Sequence, residues 1–183
     1  MRKYFGAKTY FLPMPVAILA AYDEEGYPNA MNAAWVGISD FDKISIALSG
    51  HKTTDNILKT KAFTVAVGTK EFLVECDYLG VVSGNKCKDK LERAGFHTIK
   101  SEFVNAPVIE ELPLTLECEF VSFENEVLVG RIVNVSCDEK YLGSDGLPDL
   151  SKFTPITFDP IHNKYIELGE VVGDAFKAGL KLR

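Results

Sequence analysis

The segment that decides the fold is "LPLTLECEFVSFENEVLVGRIVNVSCDE", Leu112 to Glu139. Apolar and polar residues alternate on both sides of Asn125, and this period of two turns one face of each strand towards a core. Asn125 belongs to the residue types that tolerate the left-handed backbone of a tight turn. The segment therefore predicts a long antiparallel hairpin that turns at Asn125.

The part of the chain before this hairpin also favours strands. The stretch "VAILAAYDEEGYPNAMNAAWVGIS", 16–39, predicts two strands joined through an acidic turn that ends at Gly26. Two more strands and three short helices are predicted, the strands at 44–49 and 62–69 and the helices at about 54–60, 70–84 and 88–95. The elements do not alternate regularly between strand and helix, which argues against a Rossmann fold. We predict a mainly β protein with a few covering helices, folded as a closed barrel.

Length and composition predict one domain. The chain has 183 residues, of which 46% are hydrophobic, enough for one substantial core. After Cys137 the chain becomes rich in Gly, Pro, Asp and Ser, so we expect an extended loop there. The prediction is a single domain, 1–183, in which residues 138–183 form an extended C-terminal arm of the kind that reaches a neighbouring subunit.

Charge and apolar content exclude several classes of partner. Twenty basic and 26 acidic residues give a net charge of −6, with no basic run, so nucleic acid is not an expected partner. The longest apolar run, 15–22, is too short to cross a bilayer, and the first residues lack the apolar core of a secretion signal. The four cysteines are irregularly spaced and predict reduced thiols without a metal site. We expect a soluble, cytoplasmic protein.

One polar cluster precedes a predicted helix, in "SGHKTTDNIL", 49–58. A helix N-terminus attracts anions, Lys52 adds a positive charge, and Thr53 and Thr54 add hydroxyl donors. A simpler interpretation makes one threonine the N-cap and Lys52 a solvated lysine. Asp55 argues against an anion, because its carboxylate would repel a phosphate unless it points away.

A second candidate stretch, "GYPNAMNAAWVG", lies upstream at 26–37. Its alanines would let a flat ligand approach the backbone, and its two asparagines offer amide groups to a heteroaromatic edge. The only tryptophan could border such a ring or fill one end of the barrel. The candidate residues here are Asn29, Ala30, Met31, Asn32, Ala33 and Trp35.

Six pieces of the sequence, in order, carry a resemblance to a known family. They read "PVAILA…DEEGYPNAMNAAW", "SGHKTTDNI", "VSGNKCKDKL…AGF", "NAPVIEELPLTLEC", "VGRIVNV" and "YIELGEVVG". In this order they resemble the flavin reductase-like family of FMN-binding split barrels, and especially its flavoredoxin-type branch. The resemblance implies an antiparallel split β-barrel, a homodimer and non-covalently bound FMN.

The resemblance also implies where the cofactor lies. The strand from Asn29 to Trp35 would line the isoalloxazine ring, largely through backbone groups. Ser83 and Lys90 fall on the family's "SGxxxxDK" piece, and the lysine is expected near the flavin or its phosphate; taken alone, Lys90 is predicted to be exposed and paired with a neighbouring carboxylate. The residues implied at the ribityl chain and phosphate are Ser49, His51, Lys52, Thr53 and Thr54.

Two further positions are less specific. Asn125 stands where relatives often carry a histidine, so an imidazole beside the flavin is in doubt, and Asn125 either bonds the cofactor or serves only the turn. Tyr165 matches an aromatic residue that could cover the ring, from this chain or its partner, or it is a core residue of a strand.

The resemblance implies an enzyme whose chemistry is carried by FMN. The sequence has no nucleophile and base pattern, and an FMN-dependent NAD(P)H oxidoreductase needs none. NAD(P)H would be the transient reductant, and the acceptor would be free flavin or another small molecule. The alternative is a flavoredoxin-type electron carrier with a redox partner protein. A split barrel without a cofactor, serving as a scaffold, is a third possibility that the intact motifs count against.

Overall fold

The computed structural model describes residues 1–182, which are mainly β with three α-helices. The strands are β1 Met14–Pro15, β2 Ala17–Tyr22, β3 Pro28–Ala33, β4 Val36–Asp40, β5 Lys43–Ala47, β6 Ala62–Val67, β7 Thr98–Lys100, β8 Pro107–Ile109, β9 Leu114–Glu124, β10 Val127–Cys137, β11 Ile156–Asp159 and β12 Lys164–Glu167. The helices are α1 Lys52–Thr60, α2 Leu73–Val81 and α3 Lys90–Arg93, with 3₁₀ turns at Glu139–Tyr141 and Ala178–Leu182. Within these residues no helix is both long enough and apolar enough to cross a membrane.

The predicted hairpin is confirmed and lies in the main sheet. β9 and β10 pair from Val127↔Glu124 to Cys137↔Leu114, and the two residues between them, Asn125 and Glu126, have φ of 50° and 62°. Positive φ at both positions is the turn geometry that matches the twist of paired strands. Two register shifts interrupt the hairpin, and such bulges bend and twist a sheet.

The main sheet has seven antiparallel strands in the order β3-β2-β6-β9-β10-β5-β4. β3 and β4 are its two edges, and in the described chain they do not pair with each other, so the curled sheet is split between them. The closed barrel expected from strand content is therefore wrong, and the sheet forms the split barrel that the resemblance implied. The hairpin predicted in 16–39 is confirmed as β2 and β3. Its second strand is shorter than predicted: β3 ends at Ala33, and the chain bends at Ala34 and Trp35 before a third strand, β4, pairs with β5 at the opposite edge.

Two clusters of buried side chains lie on the two faces of this sheet. The inner cluster includes Leu19, Ile46 and Phe63 and fills the curled side, while the outer cluster includes Ile18 and Leu79 and lies under α2 and α3. Neighbouring residues of β2 therefore point into different cores. This explains why the sequence of β2 is apolar throughout instead of alternating.

The C-terminal part of the chain is more ordered than predicted. β11 pairs with both β1 and β12, and Phe153 and Ile156 are buried, so an extended loop is the wrong description of this part of 138–183. The apolar side chains of this segment cover the outer cluster, which a polar composition did not reveal. Residues 168–182 are exposed throughout.

Gly130 provides a test of how tightly the inner cluster is packed. A Cβ at Gly130 of β10 would lie 2.3 Å from Cζ of Phe63, whose side chain is fully buried. We expect Gly130→Ala to lower the free energy of unfolding by about 1–3 kcal/mol, as overpacking of a core does, measured by chemical denaturation. Gly37→Ala is the matched control, because a Cβ on this glycine of β4 meets no atom within 4 Å. Equal stability of the two variants would contradict the packing argument.

Candidate functional site

Helix α1 begins two residues earlier than the sequence predicted. His51, not a threonine, is its N-cap, and the His51 side chain makes no capping hydrogen bond. The N–H groups of the first turn are therefore not satisfied by the cap, and they remain available to an acceptor. Asp55 is exposed and does not line the cavities described below. The Asp55 carboxylate therefore does not face these cavities, and the N-terminus of α1 stays free for an anion.

The two threonines of the first turn have different surroundings. Thr53 is buried, and its Oγ1 accepts a hydrogen bond of 2.6 Å from Nδ2 of Asn29 on β3, which leaves the hydroxyl proton of Thr53 as a donor. Thr54 is also buried, but its hydroxyl donates to the carbonyl oxygen of Ser49 at 3.1 Å. Thr53 belongs to the cavity wall, and Thr54 holds the preceding loop against the helix.

Asn29 has one polar atom without a partner in the described chain. Its side chain is 6% exposed, and its Oδ1 accepts no hydrogen bond although it is buried. The backbone of Gly84 lies so close that a Cβ there would be 2.2 Å from this oxygen. A buried acceptor without a partner is rare in folded proteins, so Asn29 Oδ1 marks a place where a ligand or water belongs.

Asn32 is held by the outer layer of the structure. Its Nδ2 donates to the carbonyl oxygen of Cys76 at 3.2 Å and makes a long contact of 3.5 Å with the Tyr165 hydroxyl. That hydroxyl donates to Oδ1 of Asp77 at 2.6 Å. Burial and the bond to Asp77 raise the pKa of Tyr165, so the hydroxyl stays protonated. Both donors of the Asn32 amide are thus engaged, which leaves its Oδ1 as an acceptor.

Lys90 is buried, contrary to the prediction that it would be an exposed, paired helix residue. It is 2% exposed, and its Nζ donates to the carbonyl oxygens of Leu79 at 3.1 Å and Val82 at 2.9 Å. These carbonyls belong to the C-terminal end of α2, where a cation is favoured. Burial lowers the pKa of Lys90 to about 8. The same residue lines a cavity beside Asn29 and Ser83.

Two cavities meet beside β3. The first, of about 270 Å³, lies between β3, the start of α1 and the segment from Leu79 to Gly84. The second, of about 520 Å³, lies between the end of β3, the loop after β5 and the hairpin turn. The walls of both include Met31, Asn32 and His51, and we call them together the β3–α1 groove.

The structure brings most of the candidate residues to this groove. Trp35 is 55% exposed at its edge, so it does not fill a barrel end, and Asn125 lies at its edge in the hairpin turn. Ala30, Thr54 and Tyr165 do not line the groove, although Tyr165 contacts Asn32 from its own chain. The predicted residues on its walls are Asn29, Met31, Asn32, Ala33, Trp35, Ser49, His51, Lys52, Thr53, Ser83, Lys90 and Asn125.

Sequence reasoning missed two residues that shape the groove. Asp77 bonds the Tyr165 hydroxyl, and no pattern in the sequence linked these two positions. Gly80 packs its backbone against Asn32, because a Cβ there would lie 3.1 Å from Cβ of Asn32. An isolated glycine inside a helical pattern was an available signal of such an approach.

The ionisable side chains give no sign of a metal or thiol centre within residues 1–182. No group of three or more His, Cys, Asp and Glu residues is arranged to hold a metal ion there. All four cysteines are free, and burial raises the pKa of both Cys76 and Cys118 to about 12. These two thiols are therefore protonated at neutral pH.

Comparison with known proteins identifies the fold and the family. The family model described as "Flavin reductase like domain" matches residues 9–161. Flavoredoxin of Desulfovibrio vulgaris (Miyazaki F) is 34% identical, with a TM-score of 0.93 over 98% of this chain and 100% of that one. Flavoredoxin from Methanosarcina acetivorans is 29% identical, with a TM-score of 0.89 over the whole of both chains.

A more distant structure shares the fold alone. The FMN-binding domain of a flavin reductases-like enzyme from Shewanella baltica OS155 is 18% identical, with a TM-score of 0.78 over 87% of this chain and 88% of that one. The split-barrel prediction is thereby confirmed. Because the family model matches most of this chain, the chain belongs to the flavin reductase-like family.

Proposed function

We propose that the protein is an FMN-dependent NAD(P)H oxidoreductase that reduces free flavin or another small acceptor. The observation that carries this proposal is the β3–α1 groove, which joins two kinds of surface. One end has an uncapped helix start with a lysine, and the other has small residues and amide groups along β3. A phosphorylated flavin has a matching anionic end and a flat heteroaromatic end.

The residues at the helix end suit the phosphate and the ribityl chain. The first-turn N–H groups of α1, the Lys52 ammonium and the free proton of Thr53 are donors, and Ser83 adds a hydroxyl. His51 and Ser49 bond to each other across 3.0 Å at the junction of the two cavities and offer further polar atoms to the ribityl chain.

The residues at the strand end suit the ring. The acceptor Oδ1 of Asn32 can receive a hydrogen bond from a ring N–H. The unpartnered Oδ1 of Asn29, whose amide bonds to Thr53, lies nearer the helix end and can receive one from a ribityl O–H. Ala33 leaves the backbone accessible, and the exposed Trp35 offers an aromatic edge. Bound FMN would supply the chemistry, which is hydride acceptance from a reduced nicotinamide and onward electron transfer. The chain itself needs only to bind and orient FMN and to polarise its ring, so this function requires no catalytic side chain.

A flavoredoxin-type electron carrier is the second candidate. The 34% identity to flavoredoxin of Desulfovibrio vulgaris over almost the whole chain favours it. Both functions use the same groove, and they differ in whether NAD(P)H or a redox partner protein delivers electrons. A scaffold without cofactor is disfavoured by the unpartnered buried acceptor of Asn29. For both flavin functions we propose a cytoplasmic location.

The first experiment tests cofactor binding and then separates the two functions. The purified protein, incubated with FMN and desalted, is expected to keep a flavin absorption spectrum. Anaerobic NADH or NADPH should then bleach it, and repeated turnover should follow when a small acceptor is added. A flavin that ignores both nucleotides would identify the carrier. A protein that stays colourless after exposure to FMN would contradict both flavin proposals.

The second experiment tests which side chain holds the phosphate. We expect Lys52→Ala to weaken FMN binding about tenfold or more, because a charge-assisted hydrogen bond contributes about 1.5–3 kcal/mol. The affinity is measured by titration of flavin fluorescence. Thr54→Val is the matched control: its hydroxyl bonds to Ser49 and not to the groove, so this variant should lower the melting temperature and change the affinity by less than about threefold. Unchanged affinity in Lys52→Ala would place the phosphate elsewhere.

The third experiment tests the homodimer, which we include in the proposal. The groove is open beside Trp35, and the same edge of the sheet exposes Ile38 and Phe41 on and after β4. The exposed segment 168–182 carries further apolar side chains that a second copy could cover. We expect light scattering at micromolar concentration to give twice the 20.2 kDa chain mass. A monomeric mass would mean that one chain alone forms the site.

A further inference from the structure

A separate cavity of about 450 Å³ lies under the β7–β8 hairpin, against β9 and β10. None of the residues that line it belongs to the β3–α1 groove. We call it the Glu117 cavity, because the carboxylate of Glu117 on β9 is its most unusual group. The proposed function does not use this cavity.

The carboxyl group of Glu117 is buried and has no ion-pair partner among residues 1–182. Its side chain is 3% exposed, and its two oxygens receive hydrogen bonds only from neutral groups. Ser101 Oγ donates to Oε2, and Asn134 Nδ2 donates to Oε1 at 2.7 Å. Each oxygen retains a lone pair. A buried carboxylate is stabilised by a compensating cation, so these free lone pairs suit a positively charged hydrogen-bond donor.

A second polar group on the same strand also lacks a partner. Thr115 lies two residues before Glu117 and lines the same cavity. It is 2% exposed, and its hydroxyl makes no hydrogen bond within the described chain. A buried hydroxyl of this kind calls for a ligand or a water molecule. Glu117 and Thr115 thus form a buried polar wall of the cavity. The free lone pairs of Glu117 and the hydroxyl of Thr115 remain available for further hydrogen bonds.

The rest of the cavity is apolar with an acidic rim. Ile99 and Phe103 are exposed beside it and offer an apolar and an aromatic surface. Of the charged residues on its walls other than Glu117, only Lys100 is basic, whereas Glu102, Glu110 and Asp138 are acidic. A negative potential above a buried carboxylate attracts cations, and an aromatic face stabilises them further.

We propose that the Glu117 cavity binds a small organic cation, namely a protonated amine with an apolar body. Its ammonium group bonds to the free lone pairs of Glu117 and to the hydroxyl of Thr115. Its apolar body packs against the wall formed by Ile99 and Phe103. Glu117 also anchors the β7–β8 loop through Ser101, whose Oγ accepts from the backbone N–H groups of Phe103 and Val104. Occupancy of the cavity is therefore expected to stiffen this loop.

The experiment compares 2-phenylethylamine with its neutral analogue 2-phenylethanol by calorimetric titration of the full chain. We expect saturable binding of the amine and binding at least roughly tenfold weaker for the alcohol. Glu117→Gln, which keeps an amide oxygen to accept from Ser101 or Asn134, should weaken amine binding by a similar factor. Glu119→Gln is the matched control, with the same change of charge two residues further along β9 on an exposed side chain outside the cavity.

Several results would overturn the proposal. These are no saturable amine binding up to about 10 mM, equal affinity for amine and alcohol, or an equal loss in Glu117→Gln and Glu119→Gln. If Glu117→Gln does not fold, the comparison of amine with alcohol on the unaltered chain still decides. FMN affinity is measured in parallel and should not change with the amine, so failure of this site and failure of the flavin site remain distinguishable.

Discussion

Burial of β2 and β6 on both faces is the constraint on which the rest of the structure depends. Ile18 and Leu19 are neighbours on β2, yet one lies in the outer cluster and the other in the inner cluster. Each buried aliphatic side chain contributes about 1.5–3 kcal/mol only if both faces are covered. The curled sheet covers the inner face. The outer face needs α2, α3, β8 and the returning β11, so the C-terminal segment folds back instead of leaving the domain.

The β3–α1 groove follows from this two-layer arrangement. β3 is an edge strand of the main sheet, and α1 and α2 pack against it from the two sides of the sheet's end. An edge strand has unpaired backbone groups, and covering it with helix ends concentrates polar atoms in one place. The hydrogen bond between Asn29 and Thr53 joins the strand to α1, and Lys90 joins α3 to the end of α2. Of the buried side-chain atoms without a partner in residues 1–182, Asn29 Oδ1 belongs to a residue that lines this groove.

The candidate site could be predicted to the level of segments but not of individual contacts. Asn29–Trp35 and Ser49–Thr54 were singled out from their residue types, and both segments reach the groove. The roles of Thr53 and Thr54 could not be separated by sequence, because adjacent hydroxyls differ only in direction. From the residues alone, Lys90 was predicted to be exposed and paired with a carboxylate, because the sequence does not show the carbonyl groups of α2 that surround it. The burial of Glu117 could not be predicted either. The alternating pattern of the hairpin shows which residues share a face of the sheet, but it does not show what covers that face.

The sequence by itself determined the long hairpin, its turn at Asn125, the mainly β composition and the motifs that indicate the family. These features depend on local backbone preference and on periods of two or about four residues, which a chain expresses without its partners. Only the tertiary structure decided where the barrel is split, which polar atoms stay unpartnered and which charges are buried. Those properties arise from contacts between residues far apart in the chain, such as Asn29 with Thr53 and Glu117 with Ser101. No local pattern specifies such pairs, because the two residues meet only when the whole chain has folded and packed.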